Sequence, residues 1–229
     1  MLRAVIFDFD GTIVDTEGMH YETTRKVLEE EGIPLTREAF YARYLGYDDL
    51  DAFRAILKDL NLPLDPAWIE NLAQRKAGYY QEQLHHHLIL FPGVVNFITK
   101  TAEKYITAIA SGALRNEIEF VLEAARIRDK FKVIVSAEDI EHSKPHPQGF
   151  LKALKKINQE IMKTAPLIRP SQCLVIEDSL AGVQASKSAQ MKCLAVLNTY
   201  SEEALKSAGA DLVIPSLESY NIEEAEKLF

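Results

Sequence analysis

Arg3-Ala4-Val5-Ile6-Phe7, followed at once by Asp8-Phe9-Asp10-Gly11-Thr12, is the stretch that decides the fold. After Arg3, the run is apolar and β-rich, the pattern of a strand buried in a parallel sheet. The next five are not built for packing. Asp8 and Asp10 repel each other and resist burial unless a cation offsets their charge. Gly11 lets the chain turn sharply away from the strand. In an open α/β sheet, ligands gather just beyond the carboxyl ends of the strands. The stretch therefore reads as a divalent-metal site with a nucleophilic carboxylate at a sheet edge; a solvated, Asp-rich turn is the bland alternative.

Outward from this strand the pattern changes. Residues 16–89 carry no strong strand signal, and 19–31, 38–44, 49–60 and 66–87 read as helices. Gly32-Ile33-Pro34 and Asn61-Leu62-Pro63 break them. Beyond Phe91-Pro92-Gly93, strands at 106–110, 133–136, 173–176, 193–196 and 212–214 alternate with helices. The expected fold class is α/β: a Rossmann-like parallel-sheet core formed by 1–15 and 90–229, with an all-helical domain, 16–89, inserted after the first strand. The segment 157–170, limited by Pro166 and Pro170, is expected to be a surface connection.

Three later strand ends also carry chemistry. The strand 106–110 stops at Ser111-Gly112, and a helix begins near Arg115. Backbone N–H groups at a helix N-terminus attract anions, although serine is also a common helix cap. Ser143-Lys144-Pro145-His146-Pro147 places a lysine ahead of two prolines that stiffen the backbone and hold it in one direction. Cys173-Leu174-Val175-Ile176 runs into Glu177-Asp178-Ser179, a second acidic pair.

Acid–acid, hydroxyl, amine and acid–acid, in that order, resemble the four signature motifs of the haloacid dehalogenase-like (HAD) superfamily. The resemblance covers the whole chain, and the inserted helices resemble the cap of its β-phosphoglucomutase-like and phosphatase subfamily. It implies that Asp8 attacks phosphorus, that Asp10 serves as general acid and base, and that Lys144 balances charge. It further implies Mg²⁺ held by Asp8, the Asp10 carbonyl and Asp178, with Glu177 as a further candidate. Thr12, Ser111 and Gly112 would bind phosphoryl oxygens, and Arg115 and Asn116 resemble the mutase's basic pair. An acid at Asp10 favours phosphate-ester chemistry over dehalogenation.

In the inserted helices, His20 and Lys76 align with mutase residues that couple substrate binding to closure; each also reads as an ordinary capping or solvated side chain. Tyr47 lies beside the expected substrate loop. Asp49 stands where the mutase resemblance calls for an Arg on a second phosphate, with Arg43, Arg54 and Arg115 as alternative cations. The expected function is therefore a Mg²⁺-dependent phosphatase acting through an aspartyl-phosphate on a small phosphorylated metabolite, such as a sugar or polyol phosphate. A mutase-type phosphotransferase and a non-catalytic phospho-ligand-binding regulator are the alternatives.

Composition adds bounds. The hydrophobic fraction of 47% supports a sizeable core, and no apolar run approaches the roughly 20 residues of a membrane span. A net charge of −8 argues against nucleic-acid binding. The N-terminus does not read as a signal peptide, and two cysteines without metal-ligand spacing fit a reducing, cytoplasmic setting. A monomer is expected. His85-His86-His87 reads as a helix end rather than a metal tract.

Overall fold

The computed structural model describes residues 1–45 and 47–229, with only the backbone of His85; Gly46 lies outside the described residues. Six strands form one parallel sheet in the order β3-β2-β1-β4-β5-β6. They are β1 (Ala4–Phe7), β2 (Ile106–Ala110), β3 (Val133–Val135), β4 (Cys173–Glu177), β5 (Lys192–Val196) and β6 (Leu212–Ile214). The helices are α1 (Glu17–Glu30), α2 (Arg37–Arg43), α3 (Asp49–Asp59), α4 (Pro66–His86), α5 (Val94–Lys104), α6 (Arg115–Ala124), α7 (Gln148–Ile161), α8 (Leu180–Ser188) and α9 (Glu202–Ala208). This is the Rossmann-like α/β architecture expected from the alternating pattern.

Strand β1 sits between β2 and β4, and the order of the chain reverses at it. Phe7 lies opposite Ile109 on one side and Ile176 on the other. Asp8 and Glu177 are thus the next residues beyond this pair on neighbouring strands, at the switch point where open α/β sheets bind ligands. All four residues of β1 are buried, because helices cover both faces of a parallel sheet. Ala4, Ile6, Ala108 and Val175 join Phe150, Leu154 and Ile157 of α7 on one face. On the other, Phe7 meets Phe97 of α5 and Phe131 edge to face, at 6.1 and 5.7 Å between ring centroids.

The segment 157–170 differs from expectation. Residues 157–161 are the last turn of α7, with Ile157 fully buried, because the apolar spacing of that helix continues past its charged face. The connection proper starts at Met162. Arg3 holds it by donating to the carbonyls of Pro166 (2.9 Å) and Leu167 (3.2 Å).

The chain divides into two compact units, Met1–Val14 with Leu90–Phe229, and Asp15–Ile89. The second is all-helical and has its own core, in which Val27, Leu28, Phe53, Ile56, Leu57 and Leu72 are buried. The Asp15 N–H donates to the Ile89 carbonyl (2.9 Å), closing this unit at its two chain crossings. Its helix starts are legible in sequence: the Thr36, Asp48 and Asp65 side chains accept from backbone N–H groups of α2, α3 and α4. Among the described residues no helix is long and apolar enough to cross a membrane.

A buried-edge ion network braces the core unit. Asp139 accepts from Arg115 (2.5 Å), Lys156 (2.8 Å) and the Ser136 N–H (3.2 Å). Partial burial alone would raise its carboxyl; Lys156, the Ser136 N–H and Arg115 outweigh that and hold it down at about 2. A depressed carboxyl stabilises the fold above its unfolded value and loses that contribution as pH falls through the folded one. Asp139→Asn is therefore expected to cost about 2 kcal/mol at neutral pH. The difference from wild type should shrink by about half by pH 3, read from urea midpoints at both pH values. A difference that stays constant with pH contradicts the network's role.

Candidate active site

The carboxyl ends of β1 and β4 bring Asp8, Glu177 and Asp178 together, with one oxygen of each within 4.8 Å of the others. All three are buried: Asp8 is 7%, Asp178 3% and Glu177 0% exposed. Lys144, delivered by the loop before α7, bridges the first two. Its Nζ lies 2.7 Å from Asp8 Oδ1 and 2.6 Å from Glu177 Oε1. Burial alone would lower the ammonium; Asp8 and Glu177 outweigh it and hold it above its ordinary value. Burial would likewise raise Glu177, yet Lys144 and the Ser179 donors keep it below its usual range. Asp8 is the residue left in deficit. Burial and the Glu177 charge push its carboxyl well up, with Lys144 pulling the other way.

Glu177 is built into the backbone around it. Its Oε2 accepts from the Asp178 N–H (2.9 Å), the Ser179 N–H (2.8 Å) and the Ser179 hydroxyl (2.9 Å). The Ser179 oxygen accepts in turn from the Gly182 N–H (3.0 Å), capping α8. A Cβ on Gly182 would sit 1.6 Å from Glu177 Oε1, so only glycine admits the carboxylate. Gly11 faces the same constraint: its φ of 74° is left-handed, and a Cβ there would lie 2.1 Å from Asp178 Oδ2.

Asp178 is oriented by two hydroxyls. Thr12, fully buried, donates to Oδ1 at 2.8 Å, and Thr199 donates to Oδ2. Thr12, expected from the sequence to bind phosphoryl oxygen, directs its one hydroxyl proton to Asp178 here. Thr199 and Asn198 escaped the sequence reading. Asn198 Nδ2 donates to the Gly11 carbonyl at 2.7 Å, fixing the turn behind Asp10. The signal was available: Leu197-Asn198-Thr199 follows the buried β5 as another polar strand end. Asp10 is half-buried and bridges to Val14 across that turn.

Ser111 ends β2, next to β1. Its oxygen accepts from the Ala113 N–H (3.0 Å), which leaves its own proton for a ligand. Ser111 thus closes the turn ahead of α6 rather than capping the helix, whose N-cap is Leu114. Gly112 and Asn116 are exposed. The Arg115 guanidinium is engaged by Asp139 and donates to the Ile134 carbonyl (3.1 Å).

In the helical unit, Lys76 is 2% exposed, which sets aside the solvated-charge reading. Its Nζ lies 2.6 Å from Asp49 Oδ1 and 2.7 Å from His20 Nδ1, and 4.8 Å from the Tyr80 ring centre. Buried lysine needs such a counter-charge. Tyr47 is exposed at 44%. Arg43 and Arg54 are paired with Asp59 and Asp51. Cys173 and Cys193 are free and buried, and burial pushes both thiols up to about 12.

The donor set fits a hard divalent cation. Three buried carboxylates face one ammonium, and their ligand atoms are all oxygen.

A family model described as haloacid dehalogenase-like hydrolase matches residues 5–196. The chain belongs to that family. It is 28% identical to the Phosphorylated carbohydrates phosphatase of Thermotoga maritima, over 96% of this chain and 98% of that one. It is 30% identical, over 97% of its own length, to the SUPPRESSOR OF QUENCHING 1 protein of Arabidopsis thaliana, but spans only 20% of that much longer relative. A crystal structure of β-phosphoglucomutase from Clostridium difficile matches with a TM-score of 0.85 at 28% identity, covering 100% of this chain and 97% of that one.

The contact between Gly182 and Glu177 sets a steric test. Gly182→Ala should force Glu177 off Lys144, costing about 1–3 kcal/mol in stability. Hydrolytic turnover should fall at least about tenfold, because the lysine loses one of its two anchors. Urea unfolding and phosphate release check both; wild-type values in both would refute the packing argument.

Proposed function

We propose that the protein is a Mg²⁺-dependent phosphatase that hydrolyses a small sugar or polyol phosphate through a phosphorylated Asp8. The observation that carries this reading is the Asp8–Lys144–Glu177 bridge beside Asp178. Lys144 holds Asp8 Oδ1, so Oδ2 is the oxygen available to attack phosphorus. Attack forms the Asp8–phosphorus bond and breaks the bond to the sugar oxygen. Asp10, two residues on at the mouth of the strand, gives that oxygen its proton. It then takes a proton from the water that attacks phosphorus and frees Asp8. Lys144 and the Ser111 hydroxyl offset the charge of the phosphoryl oxygens. A divalent cation held by Asp8, Asp178 and the Asp10 carbonyl would supply further charge compensation there, and an all-oxygen carboxylate site of this kind suits Mg²⁺.

The relative from Thermotoga maritima is named for phosphorylated carbohydrates, which supports the substrate class. The likeness to β-phosphoglucomutase supports a second reading, transfer of the phosphoryl group to another substrate hydroxyl. Asp49 weighs against it. It neutralises Lys76, and no Arg stands there to hold a second phosphate. Loss of a charge-assisted contact of about 1.5–3 kcal/mol weakens bisphosphate binding roughly tenfold to hundredfold. Water then competes for the phosphorylated Asp8. The third reading, a non-catalytic phospho-ligand binder, has no use for a nucleophile–lysine pair kept intact in a buried site.

Turnover of a panel of sugar and polyol phosphates should be abolished by EDTA and restored by Mg²⁺. It should fall at least about 10³-fold in Asp8→Asn. Activity that survives thorough chelation rejects the metal assignment, and near-wild-type Asp8→Asn turnover rejects the nucleophile.

From β-glucose-1-phosphate with a trace of bisphosphate, released phosphate should exceed glucose-6-phosphate. Isomerisation faster than hydrolysis, measured in the same assay, would establish the mutase reading instead.

A further inference from the structure

The loop that carries Lys144 runs between Asp139 and α7, and much of it is exposed: Glu141, His142, Pro145 and His146 all face solvent. One side chain ties this loop down at two successive backbone positions. Gln148, the first residue of α7, turns its amide oxygen back over the loop and accepts from two successive backbone N–H groups, Glu141 at 2.9 Å and His142 at 2.7 Å. Two N–H donors converge on the same atom, which identifies it as the amide oxygen. The Gln148 N–H donates in turn to His146 Nδ1 (3.3 Å), and the His146 N–H to the Ser143 carbonyl (3.0 Å). Both flanks of Lys144 are therefore tied to Gln148.

We infer that Gln148 is a positioning residue for Lys144: it fixes the loop so that the ammonium bridges Asp8 and Glu177. The inference rests on the role proposed for Lys144 above. Gln148 itself has no such chemistry; it acts only through the loop. Its influence follows from the geometry of the bridge, where two contacts of 2.6–2.7 Å leave little tolerance for displacement. A misplacement of about 1 Å at a reacting centre costs up to roughly 10²-fold in rate.

The variants separate this role from a general effect on folding. Gln148→Met keeps the length and removes the acceptor. Gln148→Glu keeps the acceptor and places a negative charge at a helix N-terminus, where it is tolerated. Gln148→Met should lower kcat about tenfold to hundredfold with KM changed less than about threefold, and Gln148→Glu should restore kcat to within about threefold of wild type. Gln148→Ala should behave as Gln148→Met does, and serves in its place if the latter fails to fold. In the wild-type protein, mass-spectrometric hydrogen exchange should find the Glu141 and His142 amides protected at least about tenfold over unstructured chain, a measurement that needs no variant.

Lys144→Met, assayed alongside, distinguishes the two levels of failure. If Lys144→Met is inactive while Gln148→Met and Gln148→Ala turn over as wild type, the positioning role is wrong and the role of Lys144 stands. If Lys144→Met turns over as wild type, the role of Lys144 is wrong and the inference falls with it. Unprotected Glu141 and His142 amides, or a Gln148→Glu enzyme as impaired as Gln148→Met, also overturn the inference.

Discussion

One electrostatic constraint organises the core: three carboxylates are buried at the carboxyl ends of two adjacent strands against a single ammonium. Such an arrangement is unstable unless each charge has a partner, because desolvation penalises ions that water no longer reaches. The structure meets the demand unequally. Glu177 has four donors, Lys144 among them. Asp178 has two hydroxyls. Asp8 has half of a shared lysine, and burial drives its carboxyl up. The residue with the least compensation is the one at the switch point of the sheet. A site that leaves a buried carboxylate under-compensated favours whatever brings positive charge to it, which suits a cation.

The helical unit has a smaller version of the same problem. Lys76 is as buried as the core acids, and Asp49 balances it directly. His20 accepts a second contact and stacks on Tyr80 at 4.6 Å between ring centroids. Neutralising a buried lysine from within changes what the unit offers an outside ligand. The ammonium is held for position, and its charge is already matched. The exposed pairs of Arg43 and Arg54 differ in kind, since surface ion pairs are weak and exchange readily.

Most of the fold was legible in the sequence because its strands are short, apolar and bounded by polar ends. The strands at 106–110 and 212–214 run as expected, and every helix of the inserted unit begins within two residues of its sequence signal. The acidic pairs were legible because charge at the end of a buried strand has no packing explanation, whereas Lys144, in a loop, was singled out only by the family resemblance. The misreading at 157–161 has a long-range cause: these residues were assigned from local sequence, but they pack on the sheet, many residues away in the chain. Asn198 and Thr199 were missed for the same reason: a polar pair after a strand declares a partner without naming it.

The spacing of Glu177-Asp178-Ser179 and Gly182 shows how a sequence motif and a physical necessity coincide. Glu177 must fold back over the start of α8 to reach Lys144, so its Oε2 meets the first N–H groups of that turn. Ser179 must cap the helix while also donating to Glu177, which fixes it two residues on. The residue three further along then lies directly under the carboxylate, where any side chain would collide. No position in this run is free to vary independently. The acid that holds the lysine, the acid beside it that faces the site, the serine that caps the helix and the glycine that makes room form one steric and electrostatic unit, and the charge environment of Asp8 depends on that unit through Lys144.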